Sequence, residues 1–195
     1  GRELLIAWAK SVGAPFTGLI IPNVFGPFGQ PYYNSVIATF SHQLSKGETP
    51  QIQVDGELNL IYVGELANEI LNKIREKTTD VAYVVPHTAS AKVTQILSLL
   101  QDYKNSYQDR GEIPNLKNRF EINLFNTFRC YMDIATYFPV KYIQHTDPRG
   151  SFVEVIRLGI GGQVSFSTTV PGIVRANHYH TRKIERFAVI KGKAL

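Results

Sequence analysis

Two histidines one residue apart, His178 and His180, are followed by Glu185 and framed by Gly172 and Gly192, and this stretch is the one best suited to chemistry. On a β-strand, residues two apart share a face, so both imidazoles can aim at one point. Four turn residues, 181–184, then return Glu185 on a neighbouring strand. Two nitrogens and a carboxylate oxygen gathered in this way suit zinc or another divalent transition metal with an open position. An isolated His-x-His is more often a pair of solvated edge residues; the glycine frame and the glutamate lift this one above that reading. Lys183, inside the turn, is placed to polarise a carbonyl, although a solvated turn lysine is the plainer reading.

The elements that must position these groups fall into two textures. Residues 2–10 carry Leu4, Leu5, Trp8 and Ala9 at helical spacing, with Gly13 and Pro15 as the stop. The apolar run 16–21 predicts a buried parallel strand, and 22–34, rich in Pro and Gly, a long loop at its carboxyl end. Ser35 is expected to cap a helix that turns Val36, Ile37, Phe40 and Leu44 inward and ends at Gly47. Segments 52–54 and 58–63 flank Asp55-Gly56, a hairpin signal. A helix with Leu66, Ile70, Leu71 and Ile74 follows, then a strand over 81–85. The next helix, capped by Thr88 or Ser90, bears the stripe Val93, Ile96, Leu97, Leu100 and Tyr103. Residues 104–118 read as loop and 118–135 as one helix. Beyond Pro139 the period becomes two, and 151–158, 162–170 and 185–191 are expected to be antiparallel strands. Neither face of 152–157 is cleanly polar, so both are expected to be partly covered.

Composition narrows the class. The chain has 195 residues, 44% hydrophobic and 11% aromatic, enough for a packed core. No run of eighteen apolar residues predicts a membrane span. The formal charge of +5 is spread thinly, without a basic stripe interleaved with aromatics, which argues against nucleic-acid binding. The single cysteine, Cys130, reads as a small buried residue and fits a reducing cytoplasm. Both ends read as cut: the chain opens on Gly1-Arg2-Glu3 in mid-helix and closes on Lys193-Ala194-Leu195 with a strand under way.

The pattern Gly172-x5-His178-x-His180-x4-Glu185-x6-Gly192 resembles the first signature motif of the cupins, together with Asp147-Pro-Arg149-Gly150-Ser-Phe152-Val-Glu154 and Gly162-Gln163-Val-Ser165 upstream. That family carries a fourth ligand, a histidine, on a second motif that this chain does not reach. Residues 1–115 resemble the extended short-chain dehydrogenase/reductases: Ile21-Pro22-Asn23-Val24-Phe25-Gly26-Pro27 is similar to the family's Asn-Val-Tyr-Gly-Pro, and Asp55-Gly56-Glu57 through Tyr62-Val63-Gly64-Glu65-Leu66 to its Gly-Asp-Gly … Tyr-Val-Asp-Asp-Val region. The resemblance implies that Pro22, Asn23 and Val24 lie near a nicotinamide and that Asn34, Ser35 and His42 line a sugar-nucleotide pocket. Ser35 as a plain helix cap and His42 as a surface helix residue are equally good readings. The Gly-rich dinucleotide fingerprint and the family's Tyr-x-x-x-Lys do not occur in residues 1–115, and Leu58 stands where many relatives have an arginine for the diphosphate. The 195 residues as they stand are therefore expected to lack reductase activity.

The fold class expected is thus α/β plus all-β: the C-terminal part of a Rossmann-type reductase domain over 1–135, then the first strands of a cupin (jelly-roll) barrel over 136–195. A reductase joined to a cupin resembles the bifunctional enzymes of capsular polysaccharide synthesis that form UDP-2-acetamido-2,6-dideoxy-L-talose. The resemblance implies a UDP-linked 4-keto-6-deoxy-N-acetylhexosamine as substrate, C3 epimerisation at the cupin, NADPH-dependent C4 reduction, and a homodimer. The ketone acidifies C3, and the base that takes that proton is either His178 or a metal-bound hydroxide; a ligated His178 nitrogen cannot also be the base, and ligand is the reading taken for His178. Arg149 and Arg175 are candidates for the diphosphate, as guanidinium groups grip phosphate oxygens in pairs. Phe152 and Glu154 are placed near the nucleotide by analogy with the epimerase branch, with barrel core as the plainer role for Phe152. The alternative is a sugar-binding or dimerisation cupin, without catalysis, fused to a degenerate nucleotide-sugar reductase.

Overall fold

The computed structural model describes residues 1–175, 178–182 and 184–193. It divides into two compact units, Gly1–Lys141 with Ile156–Val164, and Tyr142–Val155 with Ser165–Leu195.

The first unit is α/β. Helix α1 (Arg2–Val12) ends at Gly13, whose φ of 67° is left-handed and costs a glycine little. Strand β1 (Thr17–Ile20) leads into β2 (Asn23–Phe25) and α2 (Val36–Ser45). Next come β3 (Glu57–Tyr62), α3 (Val63–Glu76), β4 (Asp80–Val84), β5 (Ala89–Lys92) and α4 (Val93–Tyr103). A π-helical turn (Lys104–Asp109), β6 (Glu112–Ile113), α5 (Arg119–Arg129) and α6 (Ile134–Tyr137) complete it. Strands β1 and β4 pair in parallel; β3 pairs in parallel with β2 and antiparallel with β5.

The core forms where α2, α4 and α5 bury their apolar stripes. Ile37, Ile96, Leu100, Leu124 and Phe128 are fully enclosed, as is Leu60 of β3. Full burial of such side chains stabilises by about 1.5–3 kcal/mol each. Phe25 meets Tyr62 and Phe120 edge-on at 5.6 and 5.7 Å, which locks the end of β2 against β3 and α5.

Several expectations are corrected here. The predicted loop 22–34 contains β2, because Asn23, Val24 and Phe25 find ladder partners in Leu60, Ile61 and Tyr62. The run 16–21 forms β1, yet Ile20 and Ile21 stay exposed. Asp55-Gly56 is not a hairpin turn. Both edges of β3 are already taken by β2 and β5, and Asp55 instead accepts hydrogen bonds from Thr94 N (2.9 Å) and Thr94 Oγ1 (3.1 Å) in the first turn of α4. That role also displaces Thr88 and Ser90 as caps: Ser90 lies in β5 and bonds Asn59, while Thr88 donates to Glu65. Residues 104–118 hold the π-helical turn and β6 rather than plain loop. The helix expected over 118–135 is α5 alone. Asn118 caps it, accepting from Glu121 N, and residues 130–133 turn before α6 begins.

In the second unit the secondary structure of the described residues is strand: β7 (Gln144–Asp147), β8 (Gly150–Leu158) and β9 (Gln163–Ser167). The division between the units falls within β8 and β9. β7 and β8 form an antiparallel hairpin closed at Asp147 and Gly150, and β9 pairs with β8. Toward its end, Arg157 and Leu158 of β8 pair in parallel with Glu112 and Ile113. Residues 150–155 are half-buried, but Ile156 and Arg157 are exposed, so the cover expected for both faces of 152–157 stops short of their end. Gly150 has φ 137°, and a Cβ there would stand 2.1 Å from Thr168 O, so the close approach of the chain at 168 requires glycine. The strand expected over 185–191 is not formed; a strand exists only with a ladder partner, and none of the described residues supplies one.

Candidate functional site

In the second unit, the side chains of His178, His180 and Glu185 converge. Nε2 of His178 and Nε2 of His180 lie 3.1 Å apart, with the rings at 79° and 4.7 Å between centroids. Glu185 Oε2 is 3.3 Å from His180 Nε2, and all three donor atoms lie within 4.8 Å of one another. Zinc–ligand bonds of 2.0–2.1 Å in a tetrahedron place donor atoms about 3.3 Å apart. Two imidazole lone pairs at this distance repel unless a proton or a cation lies between them, and the nearby carboxylate favours a cation. The donor set and its spacing therefore fit a divalent ion such as zinc. Glu185 comes back beside the two histidines, but without strands: neither 178–180 nor 184–190 is in a ladder. All three residues are exposed, which leaves room for an exchangeable ligand. Lys183 lies outside the described residues.

A second grouping surrounds Asp147 at the β7–β8 turn. Its Oδ1 accepts from Arg149 N (2.8 Å), and its Oδ2 accepts from Arg149 Nε (3.0 Å) and Nη2 (2.6 Å). Arg175 Nη2 stands 4.0 Å from the same carboxylate, while its Nη1 donates to Thr168 O at 3.1 Å. The hydrogen bonds from Arg149 hold the Asp147 carboxyl below the usual carboxylate range. The two arginines proposed from sequence, distant in the chain, thus share one carboxylate. The signal that marks Asp147 is local: Asp-Pro-Arg-Gly is a turn composition in which the aspartate bonds the backbone two residues on. Phe152 and Glu154 lie two apart on β8, half-buried, with Phe152 opposite His145.

In the first unit, Pro22, Asn23 and Val24 sit where β1 ends and β2 begins, at the carboxyl edge of a parallel pair. Asn23 Nδ2 donates to Asn59 O at 3.2 Å, and Val24 is partly exposed. Ser35 Oγ accepts from Ala38 N at 3.3 Å, so its hydroxyl serves the helix cap. Asn34 precedes it with a left-handed φ of 45°. His42, on α2, is half-buried, and Tyr32 and Tyr131 meet it edge-on at 5.8 and 6.4 Å. The intervening loop is latched: Tyr131 Oη donates to Gly29 O (2.7 Å) and Phe28 N donates to Cys130 Sγ (3.1 Å). Burial pushes the Tyr131 hydroxyl up to about 12, with Cys130 adding to the effect.

Sequence reasoning also missed a hub at Glu65, at the start of α3. Its Oε2 accepts from Thr88 Oγ1 (2.5 Å) and Tyr62 N (3.4 Å), and its Oε1 from Arg119 Nε (3.0 Å) and Asn123 Nδ2 (3.4 Å). Partial burial works to raise its pKa. The Thr88 and Arg119 hydrogen bonds outweigh it and hold the carboxyl below its ordinary value. Beyond the local bond to Tyr62, its partners Thr88, Arg119 and Asn123 come from two other parts of the chain, and no local pattern marks them.

Comparison with known proteins divides the chain along similar lines. Residues 1–85 match the NAD dependent epimerase/dehydratase family, and residues 145–195 match the polysaccharide biosynthesis C-terminal domain. The chain is 30% identical over 195 residues to UDP-2-acetamido-2,6-beta-L-arabino-hexul-4-ose reductase of Pseudomonas aeruginosa, covering 99% of this chain and 52% of that protein. It thus spans about half the length of that curated relative. Among solved structures, the capsular polysaccharide assembling protein CapF of Staphylococcus aureus aligns with 35% identity and a TM-score of 0.73, over 88% of this chain and 47% of that one. UDP-glucose 4-epimerase of Thermotoga maritima aligns at 20% identity and TM-score 0.53, over 67% of this chain and 50% of the other. That likeness shows the fold alone, a Rossmann-like α/β arrangement. Among the described residues no helix is long and apolar enough to cross a membrane.

Proposed function

We propose that this chain is part of a UDP-sugar-modifying enzyme of capsular polysaccharide synthesis. In this reading, residues 1–135 belong to a reductase domain and 136–195 form the first strands of a cupin barrel. The substrate is a UDP-4-keto-6-deoxy-N-acetylhexosamine, epimerised at C3 and then reduced at C4 with NADPH to the UDP-linked 2-acetamido-2,6-dideoxy-L-talose, by a homodimer. The similarity to the Pseudomonas reductase along nearly the whole chain supports the substrate class. The observation that carries the epimerase half is the convergence of His178, His180 and Glu185 at metal-binding spacing.

These three side chains would hold the divalent metal, which when bound would supply a Lewis acid for the oxygen of a C3–C4 enolate and a hydroxide to take the C3 proton. Lys183, assigned from sequence, would polarise the C4 ketone. Arg149 and Arg175 would receive the diphosphate, and Phe152 and Glu154 the nucleotide. In the reductase half, Pro22, Asn23 and Val24 would border the nicotinamide. Asn34, Ser35 and His42 would line the sugar-nucleotide pocket, Ser35 by its position at the start of α2, since its hydroxyl is engaged by the cap.

The test is a purified whole protein given the UDP-keto sugar in deuterated water. The reading expects about one divalent ion per chain by elemental analysis, deuterium at C3, and NADPH oxidation only when the sugar is present. Sugar binding with no deuterium at C3 and no NADPH oxidation would establish the non-catalytic alternative instead.

A further inference from the structure

The cluster at the β7–β8 turn goes beyond two arginines. We infer that Asp147 is the positioning residue of a phosphoryl clamp: one carboxylate orients two guanidinium groups from separate stretches of chain so that both face a single anionic ligand. The inference rests on the proposed assignment of Arg149 and Arg175 to a diphosphate.

Three observations carry it. Arg149 approaches Asp147 through Nε and Nη2, at 3.0 and 2.6 Å, which fixes the guanidinium plane and leaves the Nη1 side directed away from the carboxylate. Arg175 is tied by Nη1 to Thr168 O at 3.1 Å, which sets its orientation, and its Nη2 lies 4.0 Å from Asp147, near enough for charge attraction and too far for a hydrogen bond. The backbone beneath is itself fixed. Asp147 Oδ1 accepts from Arg149 N, Val170 N donates to Arg149 O at 2.9 Å, and Gly150 admits the close approach of Thr168. Two positive charges against one negative leave the cluster with a net charge of +1, the sign a phosphate requires.

Asp147 would also repel an incoming phosphate, so two effects oppose each other. The cluster is open to water, with the Arg149 side chain 61% and the Asp147 side chain 37% exposed, and solvent and salt screen the repulsion. The ordering of two long side chains is not screened, and without Asp147 it falls on the binding step. Positioning therefore wins.

The experiment is calorimetric titration of the whole protein with UDP. Asp147→Asn should weaken UDP binding about 3–10-fold, with partial recovery in Asp147→Glu. Arg149→Ala should weaken it as well, and Asp147→Asn placed on top of Arg149→Ala should add less than it does alone, because its effect runs partly through that arginine. Tighter or unchanged binding in Asp147→Asn overturns the inference, as does full additivity with Arg149→Ala. If Arg149→Ala and Arg175→Ala both leave UDP binding intact, the diphosphate assignment itself fails. Near-ultraviolet circular dichroism of each variant separates these outcomes from loss of fold.

Discussion

Glu65 shows how one side chain can join elements far apart in sequence. Four donors from Tyr62, Thr88, Arg119 and Asn123 converge on its carboxylate, tying the end of β3 to α5 and to the chain before β5. Hydrogen bonds to a charged group contribute more than neutral ones, so Glu65→Gln should destabilise the first unit by about 2 kcal/mol at neutral pH. The sign with pH follows from the depressed folded pKa. The unfolded carboxyl titrates near pH 4.3, so the stabilisation is complete above that value and is lost as pH falls through the lower folded pKa. Denaturant titrations should therefore show a wild-type advantage that is full at pH 6 and shrinks below about pH 4. An advantage that grows on acidification would contradict the hub.

At the scale of elements, two turns each carry a consequence for stability. Asp55 caps α4 from across the sheet, bonding both the amide and the hydroxyl of Thr94. Its replacement by alanine should cost about 1 kcal/mol, the usual value of a lost helix cap, measurable as a lower denaturant midpoint with an unchanged slope. The β7–β8 turn is more demanding. Gly150→Ala brings both a disfavoured φ of 137° and a Cβ 2.1 Å from Thr168 O. It should destabilise the second unit by about 3 kcal/mol or more, visible as loss of amide protection at Ser151 and Thr168, which bond each other across the close approach. Retention of that protection in Gly150→Ala would show that the turn relaxes.

For the whole molecule, the two units differ in how they are held. The first has a continuous core of α2, α4 and α5, so Phe128→Ala should cost about 3–5 kcal/mol and lower the protection of all three helices together. In the second, residues 184–190 carry no ladder, and Ile184, Phe187 and Ile190 are exposed. Hydrogen exchange should be fast across 184–190 and slow in α4 and α5. A divalent ion at His178, His180 and Glu185 should slow exchange around 178–185 and leave α4 unchanged.

Local rules on the chain itself placed most of the helices, although Leu4, Leu5 and Trp8 of α1 and Leu71 and Ile74 of α3 stay exposed and 118–135 divides into α5 and α6. Ser35 as a cap, Gly13 as a stop and the inward set Ile37, Phe40 and Leu44 follow from propensity and period, which act over a few residues. The His-x-His…Glu spacing was equally legible, because side-chain types and a short return were enough to suggest convergence. Long-range pairing decided the rest. Nothing near Asn23–Phe25 announces a strand until β3 offers its free edge, and Asp55 looks like a hairpin residue until both edges of β3 are occupied. Glu65 takes Thr88, Arg119 and Asn123, and Asp147 takes Arg175, from segments well separated in the sequence, where no spacing rule reaches. Only the tertiary structure brings those charges together, because hydrogen bonds and ion pairs depend on distance through space, and sequence fixes that distance only for near neighbours.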